Sequence, residues 1–318
     1  MSPPRHALVL TAGLGTRLQP LTSVRAKPAI PVAGIPMVRR IISWLASNGA
    51  TELVLNLHHL PETLTRVAGD GSDLSVHVRY SWEPVVLGSA GGPRRALPIL
   101  GVDTFFIVNG DTLTDVGLRA LADAHASSGA LVTMALVANR EPNRYGGVLL
   151  DAGRRVVGFV KRPSASSGQA AAREGSYHFV GVQIASAGAF RSLPDGEPIN
   201  SVGRAYDELI AARPGSIHGH VCDAAFSDVG TPSDYWRTSI ACAAAETGGV
   251  LKPGRGSTID STATLTRTIV WDDVQIGAGC ALDECIVTDG VRVPRGSRLT
   301  RQILLRGPDG SLVTSPYD

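Results

Sequence analysis

The chain has 318 residues, with 30 lysines and arginines against 28 aspartates and glutamates. That length exceeds one average domain and predicts a catalytic domain with a smaller appendage. The near balance of charge, without a run of one sign, leaves no field for nucleic acid or an anionic membrane, so neither is expected as a partner. The four cysteines, Cys222, Cys242, Cys280 and Cys285, lack C-x-x-C spacing, which argues against zinc and redox motifs and for reduced thiols. No stretch approaches the roughly 18 apolar residues of a membrane span, and the apolar run before residue 11 is too short for a signal peptide, so a cytoplasmic location is expected.

The first element is that apolar run, His6 to Leu10, which reads as a buried strand. It opens into Leu-Thr-Ala-Gly-Leu-Gly-Thr-Arg-Leu-Gln-Pro-Leu-Thr, residues 10–22, followed by Lys27-Pro28. Glycines at 13 and 15 let the backbone approach a charged ligand, and successive N–H groups in such a turn make an anion-binding nest. Arg17 and Lys27 add two permanent cations, so this is chemistry for a nucleotide. The loop is not a Walker A motif, because Leu18 rather than glycine stands five residues after Gly13. It is not a dinucleotide fingerprint either, because Leu18 and Pro20 follow Gly15 where a third glycine should open a helix. The stretch resembles the signature of the nucleotidyltransferases that make nucleotide sugars, L-x-A-G-x-G-T-R-L-x-P-L-T and then K-P. The resemblance implies that Leu10, Ala12, Gly13, Gly15 and Thr16 bind the nucleotide, that Arg17 neutralises the leaving pyrophosphate, and that Lys27 steadies the α-phosphate.

Residues 35–48 carry Val38, Ile41, Ile42 and Leu45 at helical spacing, and Glu52 to Leu57 reads as a strand. Further strands over 74–80, 105–108 and 131–137 alternate with helical stretches near Leu97 and over 118–126, the pattern of a Rossmann-like, mostly parallel α/β sheet flanked by helices. Ligands of such sheets bind beyond the carboxyl ends of the strands. The first loop there, Glu83 to Gly92, resembles the family's E-x-x-x-L-G-T-A-G with Ser89 for threonine, which implies that Glu83 and Gly88 line the nucleotide pocket. The second, Phe-Phe-Ile-Val-Asn-Gly-Asp at 105–111, sets Asp111 after a buried strand, where Mg²⁺ on substrate phosphates needs an oxygen ligand; the family has its first metal aspartate there.

Arg144 to Val148 begins a second half-site. A strand to Leu150, a turn at 151–154 and a strand over 156–160 read as a hairpin. The family has Y-G and then E-K-P around its sugar, which implies roles for Gly146 and for the residues before Pro163. Here Lys161 stands for the glutamate and Arg162 for the lysine: the arginine keeps the charge, whereas Lys161 removes a hydroxyl acceptor. Gly181, in the alternating strand 177–185, marks a bulge or a close ligand approach. A helix is expected over 200–212 and a strand over 218–222. Phe226 to Tyr235 matches W-x-D-[IV]-G-T-P-x-D-Y, which implies that Asp228 is the second metal aspartate, with Thr231-Pro232 opening a helix.

From residue 259 the pattern changes. Apolar residues recur every six positions at Ile259 and Leu265, at Val270, Ile276 and Leu282, and at Val287, Val293 and Leu299, the hexapeptide repeat of a short left-handed parallel β-helix. Two or three turns are too few to stand alone, so they must pack on the catalytic domain or on another subunit, and self-association through them is expected. The expected organisation is a catalytic domain over 1–246, a glycine-rich linker over 247–257 and the repeats over 258–318. The reaction implied joins a nucleoside triphosphate and a sugar 1-phosphate, with Mg²⁺, into a nucleotide sugar and pyrophosphate. The Gly-Ser-Ala-Gly-Gly segment is similar to the mannose 1-phosphate guanylyltransferases; the compact catalytic region is also similar to N-acetylmuramate 1-phosphate uridylyltransferases. A non-catalytic nucleotide-sugar-binding paralogue is the rival reading.

Overall fold

The computed structural model describes residues 3–142, 144–160 and 175–317. Two compact units divide the chain. The first comprises Met1–Gly13, Ile41–His59 and Ala68–Ser227; the second comprises Leu14–Arg40, Leu60–Val67 and Asp228–Asp318.

The first unit is built on a nine-stranded sheet. Its strands are β1 (His6–Leu10), β2 (Glu52–Leu57), β3 (His77–Trp82), β4 (Thr104–Asn109), β5 (Val132–Ala138), β6 (Gly147–Leu150), β7 (Val156–Val160), β8 (Tyr177–Ser186) and β9 (Ile217–Val221). The path runs β7-β6-β8-β4-β1-β2-β3, with β5 pairing both β8 and β9. Strands β4, β1, β2 and β3 are parallel neighbours, with Leu8 opposite both Val54 and Ile107. Their inner positions are apolar on both faces because helices cover such sheets. Of the helices α1 (Met37–Ser47), α2 (Pro61–Ala68), α3 (Gly88–Leu100) and α4 (Leu118–Ser128), α3 packs against β1 and β2 and α4 against β5 and β8. Strand β8 runs antiparallel to β4 and β5, so it brings its Gly181 bulge back beside the carboxyl end of β4.

Most elements fall where periodicity puts them, and two boundaries move for local reasons. Strand β3 begins at His77, not Leu74, because Ser72–Leu74 forms a 3₁₀ turn that ends on Ser75 at φ 59°. The helix expected over 200–212 is regular only as α5 (Tyr206–Ala212), because Val202 and Gly203 leave helical geometry. The Gly203 N–H is then satisfied by Asp207 Oδ2 at 2.8 Å. In the β6–β7 hairpin, Asp151 Oδ1 accepts from the N–H groups of Gly153 and Arg155, an Asx turn that fixes the reversal.

The second unit holds the C-terminal parallel β-helix. Three coils stack with a period of 17 residues: Ile259 on Ile276 on Val293, Leu265 on Leu282 on Leu299, and Val270 on Val287 on Leu304. An ideal three-sided coil of hexapeptides would take 18 residues, and the missing residue lies at one corner. There Arg267, Glu284 and Arg301 turn in the left-handed region at φ 42°, 52° and 52° and shorten the step to five. These non-glycine residues would each be strained by about 1–2 kcal/mol; the coil ladder holds them, and Glu284 lies between Arg267 (2.7 Å) and Arg301 (3.4 Å) as a ladder of alternating charge. Inside, Val274, Ile276, Leu282, Val287 and Val293 form a continuous apolar column with Cys280 and Cys285, both free thiols. Replacing Leu282, 1% exposed at its centre, by alanine is expected to destabilise the protein by about 3 kcal/mol, within the usual Leu→Ala range. Urea unfolding checks this; a change below about 0.5 kcal/mol would mean that the coils do not close a packed core.

Candidate active site

Two loops of the first unit are tied through strand β2 by one buried polar chain. Asn56, in the otherwise apolar β2, accepts from Thr11 N at 2.5 Å through Oδ1, and its carbonyl accepts from Thr11 Oγ1. Its Nδ2 donates to Glu83 Oε1 at 2.7 Å, while Glu83 Oε2 accepts from Leu87 N at 2.9 Å. Glu83 is wholly buried, and burial pushes its carboxyl pKa up while the hydrogen bonds hold it back. Its oxygens therefore brace the segment that leads to Gly88. Asn56 was not singled out by sequence, although a lone amide inside Glu-Leu-Val-Leu-Asn-Leu was a readable signal.

The Gly-Ser-Ala-Gly-Gly segment has its own structural demand. The amides of Ala90 and Gly91 donate to Ile199 O, and Ser89 Oγ accepts from Ser201 N. A Cβ at Gly88, Gly91 or Gly92 would stand 2.6–2.8 Å from Ile199 O, Glu197 O or Glu83 Oε1 respectively. Strand β8 meets the same constraint, because Gly181 bulges against Asn109, two residues before Asp111. Asp111 is half-buried just beyond β4.

Near the ends of β5 and β9 lies a cavity of about 350 Å³ lined by Asn139, Tyr145, His178, Cys222 and Phe226. The His178 ring lies 4.2 Å from that of Tyr145 and 4.7 Å from that of Phe226. Burial lowers its pKa to about 4. Asn139 Oδ1 is buried and has no hydrogen-bond partner among the described residues.

In the second unit, Leu14, Thr16 and Arg17 are exposed while Lys27 is 8% exposed. Gly15, at φ 62°, packs so closely that a Cβ would come within 2.8 Å of Thr22 Cγ2 and 3.2 Å of Lys27 Cβ. Thr22 Oγ1 closes the turn on Gly15 O at 3.1 Å. Helix α6 (Pro232–Thr247) is capped by Thr231, whose hydroxyl accepts from Asp234 N and donates to Asp234 Oδ2. Arg17 Nη1, Asp228 Oδ2 and Asp234 Oδ2 converge on Gly230, each within 3.5 Å of where a Cβ would stand. A Cβ there would press on Arg17 and Asp234 by a few tenths of an ångström and touch Asp228 in ordinary contact. Of the residues expected at the site, Leu10, Ala12, Gly13, Glu83, Gly88, Asp111, Gly146 and Gly181 belong to the first unit and Gly15, Thr16, Arg17, Lys27 and Asp228 to the second. Lys161 and Arg162 lie outside the described residues.

A family profile described as nucleotidyl transferase matches residues 6–244, three quarters of the chain. The chain belongs to the nucleotidyl transferase family. A second profile, described as a GlmU-like C-terminal hexapeptide, matches residues 242–302 of the enzyme. A mannose-1-phosphate guanylyltransferase of Mycobacterium tuberculosis is 32% identical over 305 residues, 93% of this chain and 83% of that protein. An N-acetylmuramate alpha-1-phosphate uridylyltransferase of Neisseria meningitidis is 43% identical over 115 residues, 36% of this chain and 50% of that protein. The crystal structure of HddC from Yersinia pseudotuberculosis superposes with a TM-score of 0.62 at 20% identity, over 74% of this chain and 97% of that one, and supports the fold. The enzyme is a sugar 1-phosphate nucleotidyltransferase. Among the described residues, no helix is long and apolar enough to cross a membrane.

The His178 environment yields a test. Its folded pKa, about 4, lies below the unfolded value of 6.5, so only the unfolded chain gains the proton between them. Stability is expected to fall as pH drops from 6.5 to 4, and His178→Phe should lessen that fall. Melting temperatures of both proteins across this window check it; parallel curves would place His178 in water.

Proposed function

We propose that the enzyme transfers a guanylyl group from GTP to mannose 1-phosphate, releasing pyrophosphate. The observation that carries this reading is that the likeness to a mannose-1-phosphate guanylyltransferase runs through both the catalytic region and the repeats. A second reading, uridylyl transfer to an N-acetylmuramate-like acidic sugar, is favoured by the higher identity over a shorter stretch and by Lys161, a cation where a hydroxyl acceptor is expected.

In either case the sugar phosphate oxygen attacks the α-phosphorus in line, and no covalent enzyme intermediate is needed. The protein's work is positioning and charge neutralisation. Arg17 meets the leaving pyrophosphate and Lys27 the α-phosphate. The turn through Gly13, Gly15 and Thr16 gives backbone donors to the triphosphate, with Leu10, Ala12 and Gly88 lining the nucleotide side. Gly146, Gly181 and Arg162 serve the sugar phosphate, and Asn139 Oδ1, without a partner among the described residues, supplies an acceptor for a sugar hydroxyl.

Asp111 and Asp228 carry the hard anionic oxygens that Mg²⁺ prefers. Among the described residues no three His, Cys, Asp or Glu side chains gather as a metal cage. Mg²⁺ in this role keeps water and substrate phosphate in its shell. When bound, it would neutralise charge on the phosphates.

Asp111→Asn is expected to abolish Mg²⁺-dependent pyrophosphate release with the fold intact; near-full activity would remove Asp111 from the metal site. Arg17→Ala should lose about 3 kcal/mol of transition-state stabilisation, on the order of a hundredfold in kcat. An effect confined to KM would make Arg17 a binding residue only. The test of substrate choice is a matrix of nucleoside triphosphates against sugar 1-phosphates, repeated with Lys161→Glu. Best turnover of GTP with mannose 1-phosphate supports the first reading, and best turnover of UTP with the acidic sugar replaces it. A ranking untouched by the substitution makes Lys161 a solvent residue.

A further inference from the structure

One arginine of the signature stretch has no role in the chemistry above. Arg25 stands two residues before Lys27 and is 8% exposed. Its guanidinium grips Asp289 with two bonds, Nε to Oδ2 at 2.7 Å and Nη2 to Oδ1 at 2.6 Å, and reaches Asp272 Oδ2 at 2.8 Å. Those aspartates stand one coil apart in the β-helix. Each is already aimed by the coils, since Asp289 Oδ1 accepts from Asp272 N and Asp272 Oδ1 accepts from Arg255 N. The guanidinium carbon lies over the Trp271 ring, 5.2 Å from its centroid. Trp271 is fully buried and donates through Nε1 to Tyr235 OH at 2.9 Å, and Tyr235 donates to Pro31 O at 2.7 Å. The β-helix thus holds the segment around Lys27 at two points, before it at Arg25 and after it at Pro31.

We infer that Arg25 is a positioning residue: clamped by the stacked aspartates, it fixes the backbone of residues 14–31 so that Arg17 and Lys27 are pre-set for the triphosphate. Three features carry this. The clamp is bidentate, so it fixes orientation as well as distance. It is largely desolvated, so it does not exchange freely with water. Its acceptors sit at stacked turns of successive coils, hydrogen-bonded to backbone amides one coil away. A repeat extension that merely added mass would need no buried cation from the nucleotide loop. The inference rests on the nucleotidyl transfer read above, because only then are Arg17 and Lys27 the groups that need placing.

The experiment compares the wild-type chain with Arg25→Ala, Arg25→Lys and Asp289→Asn in steady-state pyrophosphate release, using the best pair from the substrate matrix. It adds mass-detected hydrogen exchange over residues 14–31 of the free protein. Arg25→Ala is expected to lower kcat by about tenfold to a hundredfold, the scale of a sub-ångström to one-ångström misplacement, with KM for the sugar phosphate changed less. Exchange should quicken in residues 14–31 and not in strands β1 to β4. Asp289→Asn should follow in the same direction, and Arg25→Lys should restore part of kcat, since lysine keeps the charge but not the fork. Wild-type kcat and wild-type exchange in Arg25→Ala would overturn the inference. So would quickened exchange throughout the chain with no rescue by lysine, which would mark a merely structural ion pair. A wild-type protein inactive on every pair would refute the proposed function instead, and the exchange pattern would still decide whether Arg25 holds the loop.

Discussion

A buried carboxylate organises the segments that follow β1 and β3 in the first unit. Glu83 has no exposure, and its oxygens are taken by Asn56 and by the Leu87 amide. An unsatisfied group of this kind in an apolar interior would be strongly destabilising, so the partners are fixed as firmly as the carboxylate itself. Through Asn56 the same chain reaches Thr11, and the loops that follow β1 and β3 are held across β2 in one constrained arrangement. The glycines of α3 complete it by letting the 197–200 segment close over the helix start. The backbone of these segments is thus fixed by the protein's own hydrogen bonds.

The second unit reaches an equivalent result with different material. Its β-helix is three coils long and has an apolar column inside, but its outward positions are not passive. Asp272 and Asp289 are aligned by the coil period and oriented by backbone amides of neighbouring coils, and Trp271 meets the tyrosine of the Gly-Thr-Pro-x-Asp-Tyr motif. What reads in sequence as two separate motifs and a tail is one hydrogen-bonded assembly.

Much of this was legible in the sequence. Alternating and helical periodicity located the strands and helices of the sheet, because burial on one face or both imposes those patterns directly. The six-residue spacing located the coils. The five-residue steps from Leu265 to Val270 and from Leu282 to Val287 were visible as irregularities, and they are the left-handed corners at Arg267 and Glu284. The motifs singled out Arg17, Lys27, Asp111 and Asp228; the structure has Arg17 and Lys27 in short 3₁₀ turns, Asp111 just beyond β4 and Asp228 at the end of a short strand, Phe226–Asp228. Asn56 and Arg25 were not found, for the same reason. Each acts through partners distant in sequence, Arg25 through residues 247 and 264 positions away, and no local pattern records such a pairing. Gly181 left two readings open, and the structure shows a bulge against Asn109.

The 17-residue coil also acts as a ruler on the gene. Two carboxylates meet one guanidinium only because they are separated by a whole period, so inserting or deleting a single codon between them would rotate one carboxylate off that face. Duplicating an entire coil preserves the alignment. Change in the length of this region is therefore quantised, with steps of one coil tolerated where steps of one residue are not, and the same rule constrains any attempt to graft the repeats from a relative with a different period.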